Sequence, residues 1–160
     1  MALFIPGMLC PLCGTPLTSP RDVVMFSPFV ADSSDPLFVF SDAAVHNVCF
    51  ARHPLSEQAS RWHDEAVHHR KASDRICCAC RKLVLDPDDY FGTGLLSRDV
   101  ANPLYEFNFV HVHRSHAGKW KRFDQFRRRM EEAQASGAWR GPRLEFIAMQ
   151  AETVRWVAGA

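Results

Sequence analysis

The sequence predicts an α+β protein built from two small metal-binding units in tandem, followed by a C-terminal strand segment. Three observations lead to this fold class. A C-x-x-C pair occurs twice, 67 residues apart. Apolar segments typical of a β-hairpin follow each pair, and a segment with helical periodicity comes next. A second pair of possible metal ligands lies between hairpin and helix. We therefore divide the chain into residues 1–72, 73–140 and 141–160.

The first cysteine pair, Cys10 and Cys13, begins unit one, and Cys77 and Cys80 repeat it in unit two. Without a gap, residues 10–66 align with 77–133. Many aligned positions carry the same residue; among them are Pro20/Pro87, Asp22/Asp89, Asp32/Asp99, Pro36/Pro103, Leu37/Leu104, Phe40/Phe107, Val45/Val112 and His46/His113. A repeat at a fixed offset predicts one structural unit used twice.

The repeat assigns the remaining ligands, because "AVHNVCF" and "HVHRSHA" fall at equivalent positions. The predicted quartets are Cys10, Cys13, His46 and Cys49 in unit one, and Cys77, Cys80, His113 and His116 in unit two. Thiolates and imidazoles in closed sets of four are typical of structural zinc, so we expect two Zn²⁺ per chain. Cys78 aligns with Pro11 and is interpreted as a non-ligand, although it could replace Cys77.

Strands are predicted in "DVVMFSPFV" (22–30) and "PLFVFSD" (36–42), and in "DYFGTGLL" (89–96) and "LYEFNFVHV" (104–112). A helix is expected to begin near His46 and again near His113, because a spacing of three places both ligands on one helical face. Pro54 should interrupt the first helix. Apolar residues at helical intervals then predict helices in 56–71 and 119–135.

This layout resembles the treble-clef zinc fingers, in which a cysteine knuckle and a β-hairpin are followed by two ligands at the first turn of a helix. The resemblance covers residues 10 to about 70 and 77 to about 136. It implies the metal and the topology. It does not imply one function, because similar modules include protein adaptors, nucleic-acid binders and nucleases.

Composition limits the function classes. The 160 residues are 47% hydrophobic, which favours a folded protein, and a net charge of +1 gives no global reason to expect nucleic acid or membrane as partner. The N-terminus has no basic leader, and no apolar stretch approaches the roughly 20 residues of a membrane span. We therefore expect a cytoplasmic protein with reduced cysteines and no membrane partner.

The preferred function is a zinc-stabilised, non-catalytic binding module that acts as a protein-interaction adaptor or inhibitor. No catalytic residue is assigned, because each quartet fills all four positions of a tetrahedral metal. The chain is therefore expected not to be an enzyme.

Nucleic-acid binding is the alternative, because positive charge concentrates in unit two. Residues 1–72 carry five basic and seven acidic side chains, and 73–160 carry fourteen and eleven. The candidate contacts are Lys119, Lys121, Arg122, Arg127, Arg128 and Arg129.

A third alternative is an HNH-like nuclease, since HNH nucleases resemble treble clefs. If His113 and His116 held a catalytic ion, His111 could act as the general base, with Asn108 nearby.

The final segment, "RGPRLEFIAMQAETVRWVAGA", lies outside the repeat. Leu144, Phe146 and Ala148 alternate with other residues, which predicts a strand that adds to or covers a hairpin edge.

Overall fold

The computed structural model describes residues 4–140, and the structural findings below concern that part of the chain. The strand predicted around Leu144–Ala148 lies outside it. Two antiparallel two-stranded sheets and three α-helices make up the regular structure, so the fold is α+β. The elements are β1 (Val23–Phe26), β2 (Ala43–His46), α1 (Asn47–Ala51), α2 (Ser56–His69), β3 (Tyr90–Gly92), β4 (His111–His113) and α3 (Phe123–Ala135).

Each unit contains one hairpin, and the two hairpins have the same register. In β1 and β2, Val23 pairs with His46 and Met25 with Ala44. In β3 and β4, Tyr90 pairs with His113 and Gly92 with His111. Each of these residues in unit two lies 67 positions after its counterpart in unit one. The first ligand histidine therefore ends the second strand of both hairpins.

Helices begin where the ligand spacing predicted. Helix α1 starts directly after His46, and a 3₁₀ helix, Arg114–Lys119, starts directly after His113. The second of these is 3₁₀ rather than α-helical. Pro54 falls between the end of α1 and the start of α2, as expected of a residue that cannot continue a helix.

The predicted strands 36–42 and 104–112 are largely wrong. Pro36–Phe40 and Tyr105–Phe107 form 3₁₀ helices; the first predicted segment ends just before β2, and only the last two residues of the second, His111 and Val112, lie in β4. Asp35 explains the first case, because its carboxylate accepts from the Leu37 backbone N–H at 2.7 Å and caps the turn. Leu37 and Phe40 are three residues apart and both fully buried, so the apolar pattern was that of a helical turn.

A polar side chain closes the loop of each hairpin, which the sequence alone did not indicate. The Ser41 hydroxyl accepts from the backbone N–H groups of Phe29 and Val30 at 3.0 and 3.1 Å. At the equivalent position of unit two, the side-chain oxygen Oδ1 of Asn108 accepts from the backbone N–H groups of Leu96 and Ser97 at 2.7 and 3.1 Å. Serine and asparagine thus perform the same task at positions 67 apart without being identical.

Both cysteine knuckles place one residue in the left-handed region of the backbone. Gly14 has φ +71° and Arg81, at the equivalent position, has φ +63°. Nothing lies within 4 Å of a Cβ built at Gly14. A side chain at this position would therefore meet no steric clash and would change stability only through the strain of the backbone conformation. Arginine tolerates this conformation less well than glycine.

We expect Gly14→Ala to lower the free energy of unfolding by about 1–2 kcal/mol and Arg81→Gly to raise it by up to about 1 kcal/mol. Lys82→Gly is the control: Lys82 has no positive φ, and the change should destabilise. Denaturant titrations with excess zinc measure all three. Equal effects of glycine at 81 and 82 would contradict the argument.

One hydrophobic core lies in each unit, and two buried residues belong to the core of the other unit. Ala31 packs in the core of unit two, whereas Leu95 packs in the core of unit one. A parallel β-bridge joins Val30 to Leu95 beside this exchange. The Arg98 guanidinium bonds the Asp35 carboxylate twice, at 2.7 and 2.8 Å, across the same junction. The units therefore pack on one another through apolar and charged contacts.

His63 on α2 packs against the hairpin segment of unit one. Its side chain is only 18% exposed. The imidazole Nε2 lies 3.2 Å from the Ser27 backbone nitrogen, which donates to it, and the ring packs edge-on against Phe26 and Phe29. Burial lowers the pKa of His63 below its usual 6.5; Asp64 opposes this shift and Arg70 adds to it.

This lowered pKa predicts a pH dependence. Because the folded state disfavours the imidazolium, the contribution of neutral His63 is present above the unfolded pKa of about 6.5 and is lost as pH falls below it. We expect the melting temperature of His63→Gln, which keeps an acceptor but cannot ionise here, to fall less between pH 7 and 5.5 than that of the wild type. Any metal that acid releases is lost from both proteins, so the prediction concerns the difference between their melting temperatures. Parallel curves would contradict the prediction.

Candidate metal centres

The structure brings the eight predicted ligands together in two groups of four. Within each group the ligand atoms all lie within 4.8 Å of one another, and each residue offers one atom. The groups are Cys10, Cys13, His46 and Cys49, and Cys77, Cys80, His113 and His116. Both clusters could hold a metal ion.

The atom separations fit a tetrahedral metal. Cys13 Sγ lies 3.5 Å from His46 Nδ1, and Cys49 Sγ lies 3.9 Å from the same nitrogen. In unit two, Cys80 Sγ lies 3.5 Å from His113 Nδ1. Metal–ligand distances of about 2.3 Å for sulfur and about 2.0–2.1 Å for nitrogen give ligand–ligand separations of about 3.3–3.8 Å in a tetrahedron. Both sites approach this geometry.

Backbone turns hold the two cysteines of each knuckle. Gly14 N–H donates to the Cys10 carbonyl, and Arg81 N–H donates to the Cys77 carbonyl, each at 2.8 Å. The leading cysteines Cys10 and Cys77 are fully buried, whereas Cys13 is exposed. Cys80, the counterpart of Cys13, is partly buried, so each knuckle presents one fully buried sulfur and one that is more accessible.

The second histidine of unit two provides an independent test of fit. His116 Nδ1 is buried and has no hydrogen-bond partner. A buried ring nitrogen without a partner costs free energy unless it binds something else, and a metal is the partner that its neighbours suggest. Its position in the 3₁₀ helix is fixed by Asp89, which accepts from Ser115 N–H at 2.8 Å and from its hydroxyl at 2.9 Å.

The surroundings favour the thiolate form of some, but not all, of the candidate sulfur ligands. Burial raises the pKa of Cys77, but backbone N–H groups of His113 and Cys80 outweigh this effect and lower it to about 6. The Thr15 hydroxyl and backbone lower the pKa of Cys13 to about 6. Burial and the neighbouring Cys13 sulfur raise that of Cys49 to about 11. A divalent cation is what would ionise all the sulfurs of one site together.

Cys78 is not part of either group. Its backbone N–H donates to the His111 carbonyl at 2.9 Å, and burial raises the pKa of its thiol to about 11.

The two side chains named for the nuclease alternative have structural contacts. His111 is 7% exposed, and its Nδ1 lies 2.9 Å from the Tyr90 hydroxyl. Burial, together with His69 and Arg75, lowers the pKa of His111 to about 4. The Asn108 amide bonds backbone groups of Leu96 and Ser97 on both its oxygen and its nitrogen.

The six candidate nucleic-acid contacts divide into two sets. Three pair with carboxylates: Arg122 with Glu106, Arg127 with Glu131 at 2.6 Å, and Arg129 with Glu132 at 2.9 Å. The other three, Lys119, Lys121 and Arg128, are exposed. The surface of α3 is consequently less positive than its sequence suggested.

Comparison with family models, curated proteins and solved structures gave no significant match. Within residues 4–140, none of the helices has the combined length and apolarity needed to cross a bilayer.

Proposed function

We propose that this protein is a tandem pair of treble-clef units, each folded around a structural Zn²⁺, that acts as a non-catalytic protein-interaction adaptor or inhibitor. The observation that carries the proposal is that all eight ligand side chains enter two closed sets of four. A closed set leaves no coordination position for water or substrate, so the metals serve the fold and the surface performs the function.

A duplicated treble clef is supported by the equivalent contacts in the two units. The hairpin registers, the knuckle turns and the Ser41 and Asn108 loop bonds recur 67 residues apart. Zinc is the metal of choice for mixed thiolate and imidazole ligands. We place the protein in a reducing cytoplasm, since none of its six cysteines is in a disulfide.

Protein recognition is supported by an apolar strip on the knuckle of unit two. Ile76 and Leu83 face each other across a β-bridge and are each 42% exposed, and Leu85, two residues further, is 71% exposed. Val84 between them is fully buried. The alternation directs three aliphatic side chains toward solvent, as at a protein-contact surface.

Purified partners test the adaptor role. Zinc-loaded protein is used to capture proteins from its native host, and each candidate is then produced separately and titrated against the wild type and an Ile76→Ser, Leu85→Ser variant. Micromolar or tighter binding that the variant weakens supports the proposal. Failure of every purified candidate to bind contradicts it.

Nucleic-acid binding remains the second candidate, favoured by the exposed Lys119, Lys121 and Arg128. Titration with mixed DNA and RNA at 50 and 200 mM salt separates the two functions. A nucleic-acid binder loses affinity steeply with salt, whereas an adaptor binds weakly throughout. The nuclease is the third candidate and requires Mg²⁺- or Mn²⁺-dependent cleavage that His111→Ala abolishes.

A further inference from the structure

An open groove of about 540 Å³ lies where helix α2 of unit one faces the 3₁₀ helix Tyr105–Phe107 of unit two and the two residues that follow it. Its size falls within the range of roughly 300–1,000 Å³ that is usual for ligand sites. The groove exists only because the units are packed together, since residues of both line it. The lining residues are Arg61, Trp62, Glu65, Tyr105, Asn108 and Phe109.

The lining combines three aromatic side chains with one carboxylate and one guanidinium group. Trp62, Tyr105 and Phe109 line the space, and so does Glu65, which is half-exposed and whose carboxylate lies 3.2 Å from His69 Nε2. Aromatic faces carry negative electrostatic potential and attract cations, tryptophan most strongly. Asn108 does not compete for a ligand, because its amide already bonds backbone groups.

A cation of the chain itself already uses this surface. The Arg61 guanidinium carbon lies 5.6 Å from the centroid of the Trp62 ring, within the distance for a cation–π contact. The indole therefore presents a face that is accessible to a guanidinium group. Arg61 is exposed, so an incoming cation can displace it at low cost.

Phe109 occupies a backbone conformation that suits it poorly. Its φ is +55°, in the left-handed region of the backbone. The equivalent residue of unit one is Asp42, with φ +57°. Aspartate tolerates this region better than phenylalanine does. One face of the phenyl ring stacks on His69 at 4.2 Å and 11°. Phe109 also packs against the core of unit one, so the ring is held in place where the two units meet at the groove.

We propose that this groove binds the side chain of an arginine or lysine from the protein partner, with Trp62, Tyr105 and Phe109 contacting the cation and Glu65 balancing its charge. The inference rests on the proposed function, since it names the chemistry by which the partner is recognised. Arginine suits the groove better than lysine, because its planar and weakly hydrated head stacks on aromatic faces.

The test uses zinc-loaded full-length protein and two matched probes, N-acetyl-arginine amide and N-acetyl-citrulline amide. Citrulline has the shape of arginine without its charge. Both are titrated at constant ionic strength while the Trp62 indole N–H and the Tyr105 and Phe109 ring signals are followed by NMR. We expect saturable shifts with the arginine probe and no saturation with the citrulline probe.

Three variants locate the site. Trp62→Leu keeps an apolar side chain and should weaken binding by about 2- to 30-fold. Arg61→Ala should strengthen it, because the internal competitor is gone. Arg52→Ala, an exposed arginine that does not line the groove, changes the net charge equally and should leave affinity within twofold. Zinc content and melting temperature verify that each variant is folded.

Equal shifts with both probes, unchanged binding by Trp62→Leu, or equal gains from Arg61→Ala and Arg52→Ala would each overturn the proposal. The outcome is separable from that of the adaptor role. If purified partners bind but the groove does not bind the arginine probe, only the groove proposal fails. If the groove binds the probe and no purified candidate binds, the groove is an arginine site, but the adaptor role fails and so does the assignment of that arginine to a protein partner.

Discussion

Serine at Cys10 or at Cys80 is expected to give insoluble protein. Each substitution removes one ligand from a proposed zinc site, and structural zinc contributes about 10–16 kcal/mol of apparent binding free energy. This exceeds the net stability of about 5–15 kcal/mol of a whole domain. Soluble yield, zinc per chain by elemental analysis and thermal melting by circular dichroism measure the effect.

Cys78→Ser is the matched control, because it changes a thiol beside Cys77 that belongs to neither ligand group. This variant should retain two zinc ions and melt close to the wild type. A soluble Cys80→Ser protein with unchanged melting would remove the structural role of the metal. A Cys78→Ser protein with one zinc would instead assign Cys78 as a ligand.

Alanine at Phe126 is expected to lower the free energy of unfolding by about 3–5 kcal/mol. The phenyl ring is fully buried, and its centroid lies 5.3 Å from that of Phe107, 5.6 Å from Trp120 and 6.2 Å from Phe91. Removing it leaves a cavity in the middle of an aromatic cluster. Guanidinium denaturation with excess zinc measures the loss.

Leu85→Ala is the control, since Leu85 is 71% exposed and should change stability by less than about 0.5 kcal/mol. A loss below 1 kcal/mol for Phe126→Ala would mean that the neighbouring rings close the cavity. Both variants retain every ligand, so their zinc content should equal that of the wild type.

The two cores explain why Phe126 has no aromatic counterpart in unit one. The equivalent residue there is Ala59, also fully buried. In unit one, Phe50 on α1 packs against Phe40 at 5.5 Å, and the residue equivalent to Phe50 is the small Ala117. Each unit thus places one phenylalanine of an α-helix beside Phe40 or Phe107, but the helix differs: α1 in unit one and α3 in unit two. Position-by-position comparison of the sequence halves does not show this exchange.

The candidate metal ligands and the helices were predictable because their signals are local. Two ligands three residues apart reach one ion from one helical turn, and a cysteine pair with two intervening residues forms a knuckle. The apolar positions of α3, Phe123, Phe126 and Met130, follow the helical period and are all buried. The units also repeat these signals, so each half supports the assignment in the other.

The strands of the hairpins were predicted longer than they are, because short apolar segments beside them have the composition of strands. Pro36-Leu37-Phe38-Val39-Phe40 reads as strand from its β-prone residues, but a capped 3₁₀ turn buries Leu37 and Phe40 equally well. Short apolar runs fit both structures, and the packing of the surrounding core decides between them.

The sequence by itself determined the two ligand quartets, their common 67-residue offset and the order of hairpin and helix, because these depend on residues near in sequence or on a repeat that can be aligned. Only the tertiary structure decided the junction between the units, where Arg98 meets Asp35 and Trp62 lies near Phe109. Those partners are far apart in the chain and follow no period. Their contacts depend on how two finished units pack together, and packing of that kind leaves no pattern in the sequence.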